Sequence, residues 1–181
     1  VADNYLEGYH VPIAHPGLMR LLDYKHYDVE LHDRWVWFDA RLRDKPSGNR
    51  MERVYQRLVE PMPGLGEEDR GVWHYVFIYP NTTLDLYPDQ VGIWRIDPDG
   101  PLRTADTSLT LLPERRGLRT RAVQYANRRV NALVSAEDVD LVANQQAGLE
   151  TRGFEAGPLS RREAALGWFA DRIRADMAEA A

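Results

Sequence analysis

Glu7, His10 and His15 fall within the run Asp3-Asn4-Tyr5-Leu6-Glu7-Gly8-Tyr9-His10-Val11-Pro12-Ile13-Ala14-His15-Pro16-Gly17. Two imidazoles and a carboxylate this close together suit a divalent transition metal, and so few protein ligands leave coordination positions open for reactants. That is the donor set of a reactive metal rather than a structural one. In a straight helix His10 and His15 would point about 140° apart, so one regular helix cannot aim both at one ion. Pro12 offers a break that re-aims the second imidazole. A third ligand has to come from elsewhere in the chain. Glu137, Asp138 and Asp140, in Ser135-Ala136-Glu137-Asp138-Val139-Asp140, are the candidates. Ser135 would cap a helix there, and a first helical turn favours carboxylates. The residues alone leave the three acids open.

The elements that must position these groups follow from periodicity. The segment from Asp3 to Asp23 reads as broken helix, interrupted at Pro12 and Pro16. The period then changes to two: Tyr27–Leu31 and Arg34–Leu42 form a hairpin around His32-Asp33, and strands follow over Gly71–Tyr79, Thr82–Tyr87, Val91–Asp97 and Thr104–Leu112. A short helix is expected over Arg50–Leu58. Further helices are expected over Ala122–Val134, Asp138–Leu149 and Ser160–Ala178. The last has a Ser160/Glu163 capping box and an apolar stripe of Leu166, Phe169, Ile173 and Met177. Strands in the middle with helices at the ends predict an α+β fold, an antiparallel sheet covered by helices.

The bulk properties narrow the function. The chain has 181 residues, 44% of them hydrophobic and 28% charged, which suits a single soluble domain. A net charge of -5 with scattered basic residues offers no footprint for nucleic acid, and no apolar run is long enough to cross a membrane. There is no cysteine. That excludes disulfides, thiolate zinc sites and a cysteine nucleophile, and this chain cannot ligate an iron–sulfur cluster by itself. His26, His32 and His74 have no partner at metal spacing. Trp35, Trp37, Trp73, Trp94 and Trp168 are either core or an aromatic cage for an ammonium group. The basic residues Arg115, Arg116, Arg119 and Arg121 read as a solvated face.

The string Asn4-Tyr5-Leu6-Glu7-Gly8-Tyr9-His10-Val11-Pro12-Ile13-Ala14-His15-Pro16 resembles the mononuclear iron motif of Rieske non-haem iron oxygenases, the ring-hydroxylating oxygenase α subunits and their demethylating relatives. That pattern is an acid, two residues, His, four residues, His. The strand Tyr75–Tyr79 followed by Pro80-Asn81, the Glu137-Asp138 segment with Gln145-Gln146-Ala147-Gly148-Leu149, and Phe154-Glu155-Ala156-Gly157-Pro158-Leu159-Ser160 resemble later parts of the family in the same order. The resemblance implies a helix-grip fold, a curved antiparallel sheet wrapped around a long C-terminal helix. It implies that His10, His15 and Asp138 ligate Fe(II) as a two-His-one-carboxylate triad, leaving the opposite face for O₂ and substrate. It also implies that Glu7 bridges electrons from a cluster-ligating histidine of a neighbouring subunit. Most members carry Asp at that position, and Glu resembles the branch acting on choline, carnitine and betaine.

The same resemblance implies a single catalytic domain over residues 1–181 of a cytoplasmic enzyme, with the Rieske domain and its [2Fe-2S] cluster outside this chain. The expected partners are O₂, an aromatic acid or quaternary ammonium substrate, an NAD(P)H-dependent reductase or ferredoxin, and further copies in a homotrimer. The expected reaction inserts oxygen into an aromatic ring or C–H bond. Two other readings stand beside it. One is a helix-grip ligand-binding module without chemistry, which would hold no iron. The other is a hydrolytic zinc site, which would turn over without O₂.

Overall fold

Three short helices open the chain in the computed structural model, which describes residues 1–114 and 117–180: α1 (Ala2–Tyr5), α2 (Val11–Ala14) and α3 (Pro16–Leu21). The break that separates α2 from α3 falls at His15-Pro16, not at Pro12. Pro12 sits in the first turn of α2, where its missing N–H removes no helical bond. His15 precedes a proline and is driven out of the helical region, with φ −120° and ψ 75°.

Six strands follow, interrupted once by a helix: β1 (Leu22–Leu31), β2 (Trp35–Leu42), α4 (Arg50–Leu58), β3 (Val72–Ile78), β4 (Thr82–Tyr87), β5 (Gln90–Pro98) and β6 (Thr104–Leu111). They pair in sequence order as one antiparallel sheet. β1 starts five residues earlier than alternation predicts, because Leu22–His26 precede a register shift between Leu22 and Tyr27 that breaks the period of two. The remaining helices are α5 (Leu118–Leu149) and, after a 3₁₀ turn over Arg161–Glu163, α6 (Ala164–Glu179). The α+β architecture is thus the one expected, with one change. The two helices expected over 122–149 are a single 32-residue helix, and Ser135 lies in its interior rather than at a cap. No proline or glycine interrupts that segment before Gly148, so the ladder continues through the polar residues.

The register defines the sheet's two faces. Val36, Phe38 and Ala40 of β2 lie beside Phe77, Tyr75 and Trp73 of β3, which lie beside Thr83, Asp85 and Tyr87 of β4. This inner face carries the core. Near one end Leu21, Leu22, Ala40, Tyr55 and Trp73 pack with Val123 and Ala126 of α5. Near the other, Leu6, Val36, Phe38 and Phe77 pack with Ala165, Leu166, Trp168 and Phe169 of α6. Burying side chains of this size is worth roughly 1.5–3 kcal/mol each. The Glu163 carboxylate accepts from the Ser160 N–H at 2.8 Å, which fixes the start of the last helix. Ile173 and Met177, expected on its apolar stripe, are 38% and 68% exposed, because α6 runs past the packed cluster.

A polar strut joins the opening helices to the helical layer. Arg20 of α3 donates to both carboxylate oxygens of the buried Glu52 on α4, at 3.0 and 2.5 Å. Asn49 caps α4 by accepting from Met51 and Glu52 N–H groups. α4 packs along α5, so whatever α5 carries is registered against His15 through this pair.

The inner face also holds a carboxylate with no described cation beside it. Asp85 is 8% exposed and accepts from the Tyr5 hydroxyl at 2.9 Å. Burial lifts its carboxyl to about 6, with the Tyr5 hydrogen bond opposing the rise.

Two outcomes follow from these interactions. Arg20→Ala strands the buried Glu52 carboxylate and is expected to cost about 2 kcal/mol in urea unfolding. Asp85 binds its proton more tightly folded than unfolded, so its protonation adds stability in full below about pH 4, and that contribution is lost as pH rises through about 6. Asp85→Asn keeps an acceptor for Tyr5 and removes the charge. It is expected to be more stable than the native chain at pH 7, by on the order of 1–3 kcal/mol, with the gap closing toward pH 4.

Candidate metal centre

The turn between α1 and α2 shapes the first half of the site. Gly8 is held so close to β1 that an added Cβ would meet the Tyr27 ring at 2.8 Å. The Tyr24 hydroxyl donates to the Gly8 carbonyl at 2.7 Å. Two tyrosines of β1 thus clamp the turn that carries Glu7 and His10. Glu7 is buried inside it. One carboxylate oxygen accepts from the backbone N–H groups of Tyr9 and His10, and the other engages Nδ1 of His10. The His10 ring is therefore aimed by its own neighbour, leaving Nε2 free.

α5 supplies the second half. Glu137 and Asp138, adjacent residues about 100° apart around that helix, straddle the His15 ring. Nδ1 of His15 lies 2.8 Å from Glu137 Oε2, and Nε2 lies 3.0 Å from Asp138 Oδ1. The two imidazoles meet edge to face with centroids 5.0 Å apart. His10 Nε2 is 3.9 Å from the same Asp138 oxygen. One ligand atom each of His10, His15 and Asp138 fall within 4.8 Å of one another. Two ligands about 2.1 Å from one ion at right angles stand about 3 Å apart, so the His15–Asp138 pair is already at that spacing and the wider pairs would have to draw in around a metal. Asn4 donates to Asp138 Oδ1 at 2.7 Å, and its own buried Oδ1 has no hydrogen-bond partner.

Electrostatics suit the arrangement. Burial pushes the His15 imidazole down, but the hydrogen bonds and charges of Asp138 and Glu137 outweigh it and leave the ring above its ordinary value. Two carboxylates around one buried ring make a site that attracts positive charge.

The three acids left open by the residues separate here. Asp138 faces both imidazoles. Glu137 is brought to the far nitrogen of His15, an outer-shell placement. Asp140 is exposed, two residues further round the helix and turned away. Gly8, Tyr24, Tyr27 and the strut from Arg20 to Glu52 were not legible as parts of the site, because they belong to packing and to a strand segment with broken alternation.

The other singled-out residues lie elsewhere. His74 stands on the outer face between Asp39 (2.5 Å) and Asp69 (3.2 Å), a hydrogen-bonded strand histidine. His26 pairs with Asp23, and His32 stacks on Trp35. The five tryptophans form no common cage. Trp73 is core, Trp168 packs on Phe77 and donates to the His32 carbonyl, and Trp35 and Trp37 are on the outer face. Arg119 donates to the Leu58 carbonyl and pairs with Glu60. Arg115 and Arg116 lie outside the described residues. No helix among the described residues is long and apolar enough to cross a membrane.

The sequence profile of the ring hydroxylating α subunit (catalytic domain) family matches residues 1–179. Choline monooxygenase of Amaranthus tricolor is 31% identical over 157 residues, which cover 86% of this chain and 31% of that protein. The Arabidopsis thaliana choline monooxygenase is 29% identical over 164 residues, covering 86% and 33%. The chain thus spans about a third of the length of these relatives. The quaternary ammonium Rieske monooxygenase CntA shares the fold with a TM-score of 0.69 at 20% identity, over 95% of this chain and 44% of that one. Its complex with L-carnitine superposes with a TM-score of 0.63 at 19% identity, over 95% and 43%. With the profile covering nearly every residue, this chain belongs to the ring-hydroxylating oxygenase α-subunit family and corresponds to its catalytic domain.

Proposed function

We propose that this chain is the O₂-activating mononuclear Fe(II) domain of a Rieske-type monooxygenase that oxidises a methylated ammonium compound. The observation that carries the reading is the convergence of His10 Nε2, His15 Nε2 and the Asp138 carboxylate, while Glu7 and Glu137 occupy the opposite nitrogens of the two rings. Fe(II) held by that triad would supply the site at which O₂ is reduced. The family relationship and the choline monooxygenase relatives support iron over zinc and chemistry over passive binding.

The chain's own residues would do the rest. Glu7 and Glu137 hold the imidazoles in one tautomer and one orientation, so that Nε2 of each is unprotonated toward the metal. Asn4 orients Asp138 through its amide. The buried face beneath the site keeps bulk water from the reacting carbon. The overall reaction places one oxygen atom of O₂ in a C–H bond and releases the other as water, which takes two electrons and two protons. We assign their delivery to a [2Fe-2S] Rieske centre elsewhere in the full protein, fed by an NAD(P)H-dependent reductase or ferredoxin. Glu7 would link that centre in a neighbouring subunit of a trimer to His10. Hydroxylation at an N-methyl carbon would collapse to demethylation.

The test is anaerobic Fe(II) loading followed by metal analysis. One iron per native chain is expected, with loss in each of His10→Ala, His15→Ala and Asp138→Ala. Asp140→Ala should load as the native chain does. Glu137→Gln should still load at saturation, with affinity lowered about 10–100-fold as for an outer-shell partner. A native chain without iron, or triad variants that keep it, would refute the assignment.

A further inference from the structure

The metal centre needs α5 in the one rotation that presents both Glu137 and Asp138 to His15, and a buried polar contact three turns earlier supplies a reason for it. Only Val123, Ala126 and Asn127 of that 32-residue helix are buried, and Asn127 is the polar one of the three. Its amide donates to Asp89 Oδ2 at 2.7 Å. Asp89 is 7% exposed, lies in the turn between β4 and β5, and accepts at Oδ1 from the Tyr55 hydroxyl of α4 at 3.1 Å. The Tyr55 oxygen in turn accepts from Trp73 Nε1 of β3 at 3.3 Å. One carboxylate therefore ties α4 and α5 to the sheet, with both of its oxygens in use.

Packing alone would not fix that rotation. Val123, Ala126 and Val130 of α5 join the cluster that holds Tyr55 and Leu58 of α4. Apolar contact of this kind is non-directional and tolerates a helix that rolls or slides. A hydrogen bond from a planar amide is directional, and breaking it leaves a buried acceptor unmet.

The contact also lies in line with the site. Asn127 and Asp138 are 11 residues apart, three turns plus about 20°, so they share one face of α5 about 16 Å apart along its axis. Between Asn127 and Glu137 no α5 side chain makes a hydrogen bond to another element among the described residues. Beyond the site, residues 143–149 are all exposed. A roll of about 20° would carry a carboxylate ~5 Å from the helix axis through about 2 Å. A ligand constellation tolerates only about 0.5 Å.

We propose that Asp89 and Asn127 are positioning residues of the metal centre, their hydrogen bond setting the roll of α5 so that Glu137 and Asp138 straddle the His15 ring. The pair touches neither metal nor substrate and acts only through the helix. The proposal rests on the oxygenase reading for the identity of the metal, but its first measurement is made without one.

That measurement is a double-mutant cycle on the metal-free chain, with urea unfolding of the native protein, Asn127→Leu, Asp138→Ala and the double variant. Leu shares the branched outline of Asn and is the better helix former, so the substitution removes the contact without weakening the helix. Residues this far apart are ordinarily independent, their effects on the unfolding constant multiplying to within about two-fold. Coupling of at least about five-fold is expected here, because with Asp138 removed Asn127→Leu has less left to misplace. The second measurement is anaerobic Fe(II) titration, in which Asn127→Leu should lower affinity at least about ten-fold, as loss of an outer-shell partner does. Asn127→Ala, which leaves room for a water at Asp89, should show both effects and carries the test if Asn127→Leu does not fold. Independence within about two-fold overturns the inference, as does a folded variant whose iron affinity stays within about two-fold of native. A native chain that takes up no iron refutes the oxygenase reading, and the metal-free coupling then decides this inference by itself.

Discussion

Everything at the candidate metal centre depends on one imidazole. His15 is bonded through both ring nitrogens to adjacent carboxylates of α5, more than a hundred residues away in the chain. Without that contact the opening helices would be three short turns, each too brief to persist alone in water. With it, α1 to α3 are pinned against the longest helix. Asn4, on the preceding helix, adds its own bond to Asp138, and Arg20, on the following one, reaches Glu52. The site is thus a joint between the start of the chain and its helical layer, and its geometry is as rigid as the packing of α4 on α5.

The joint concentrates negative charge. Glu7, Glu137 and Asp138 surround two histidines, and Asp85 is bonded by Tyr5, the residue next to the Asn4 that bonds Asp138. A protein rarely buries acids without cations unless something positively charged is to arrive. Imidazole nitrogens that converge with a carboxylate suit a transition metal.

The sheet explains why such groups can be held there at all. Antiparallel pairing puts alternate residues on one face, so Phe38, Tyr75 and Asp85 fall in one row across three strands although far apart in sequence. The apolar members of that row anchor α6, and Asp85 takes its hydrogen bond from Tyr5 of α1. The outer face received His74, Asp39 and Trp37, which satisfy one another and leave no vacancy for chemistry.

The sequence by itself determined the strands from Tyr27 onward, the helix Arg50–Leu58, the start of the last helix and the two histidines with their guarding acid, because alternation, capping and ligand type are local properties. Resemblance to an oxygenase family then singled out Asp138. Local pattern failed where it was broken or absent. Leu22–His26 escaped because a register shift interrupts alternation, and the division of α5 at Ser135 was wrong because a favourable cap residue does not end a helix whose ladder has no reason to stop. Only the tertiary structure decided which acid faces which nitrogen, that Pro16 rather than Pro12 turns the chain, and that Asp85 is stranded among aromatics. Those are outcomes of distances between residues remote in sequence, and such distances are set by packing, which no local spacing encodes.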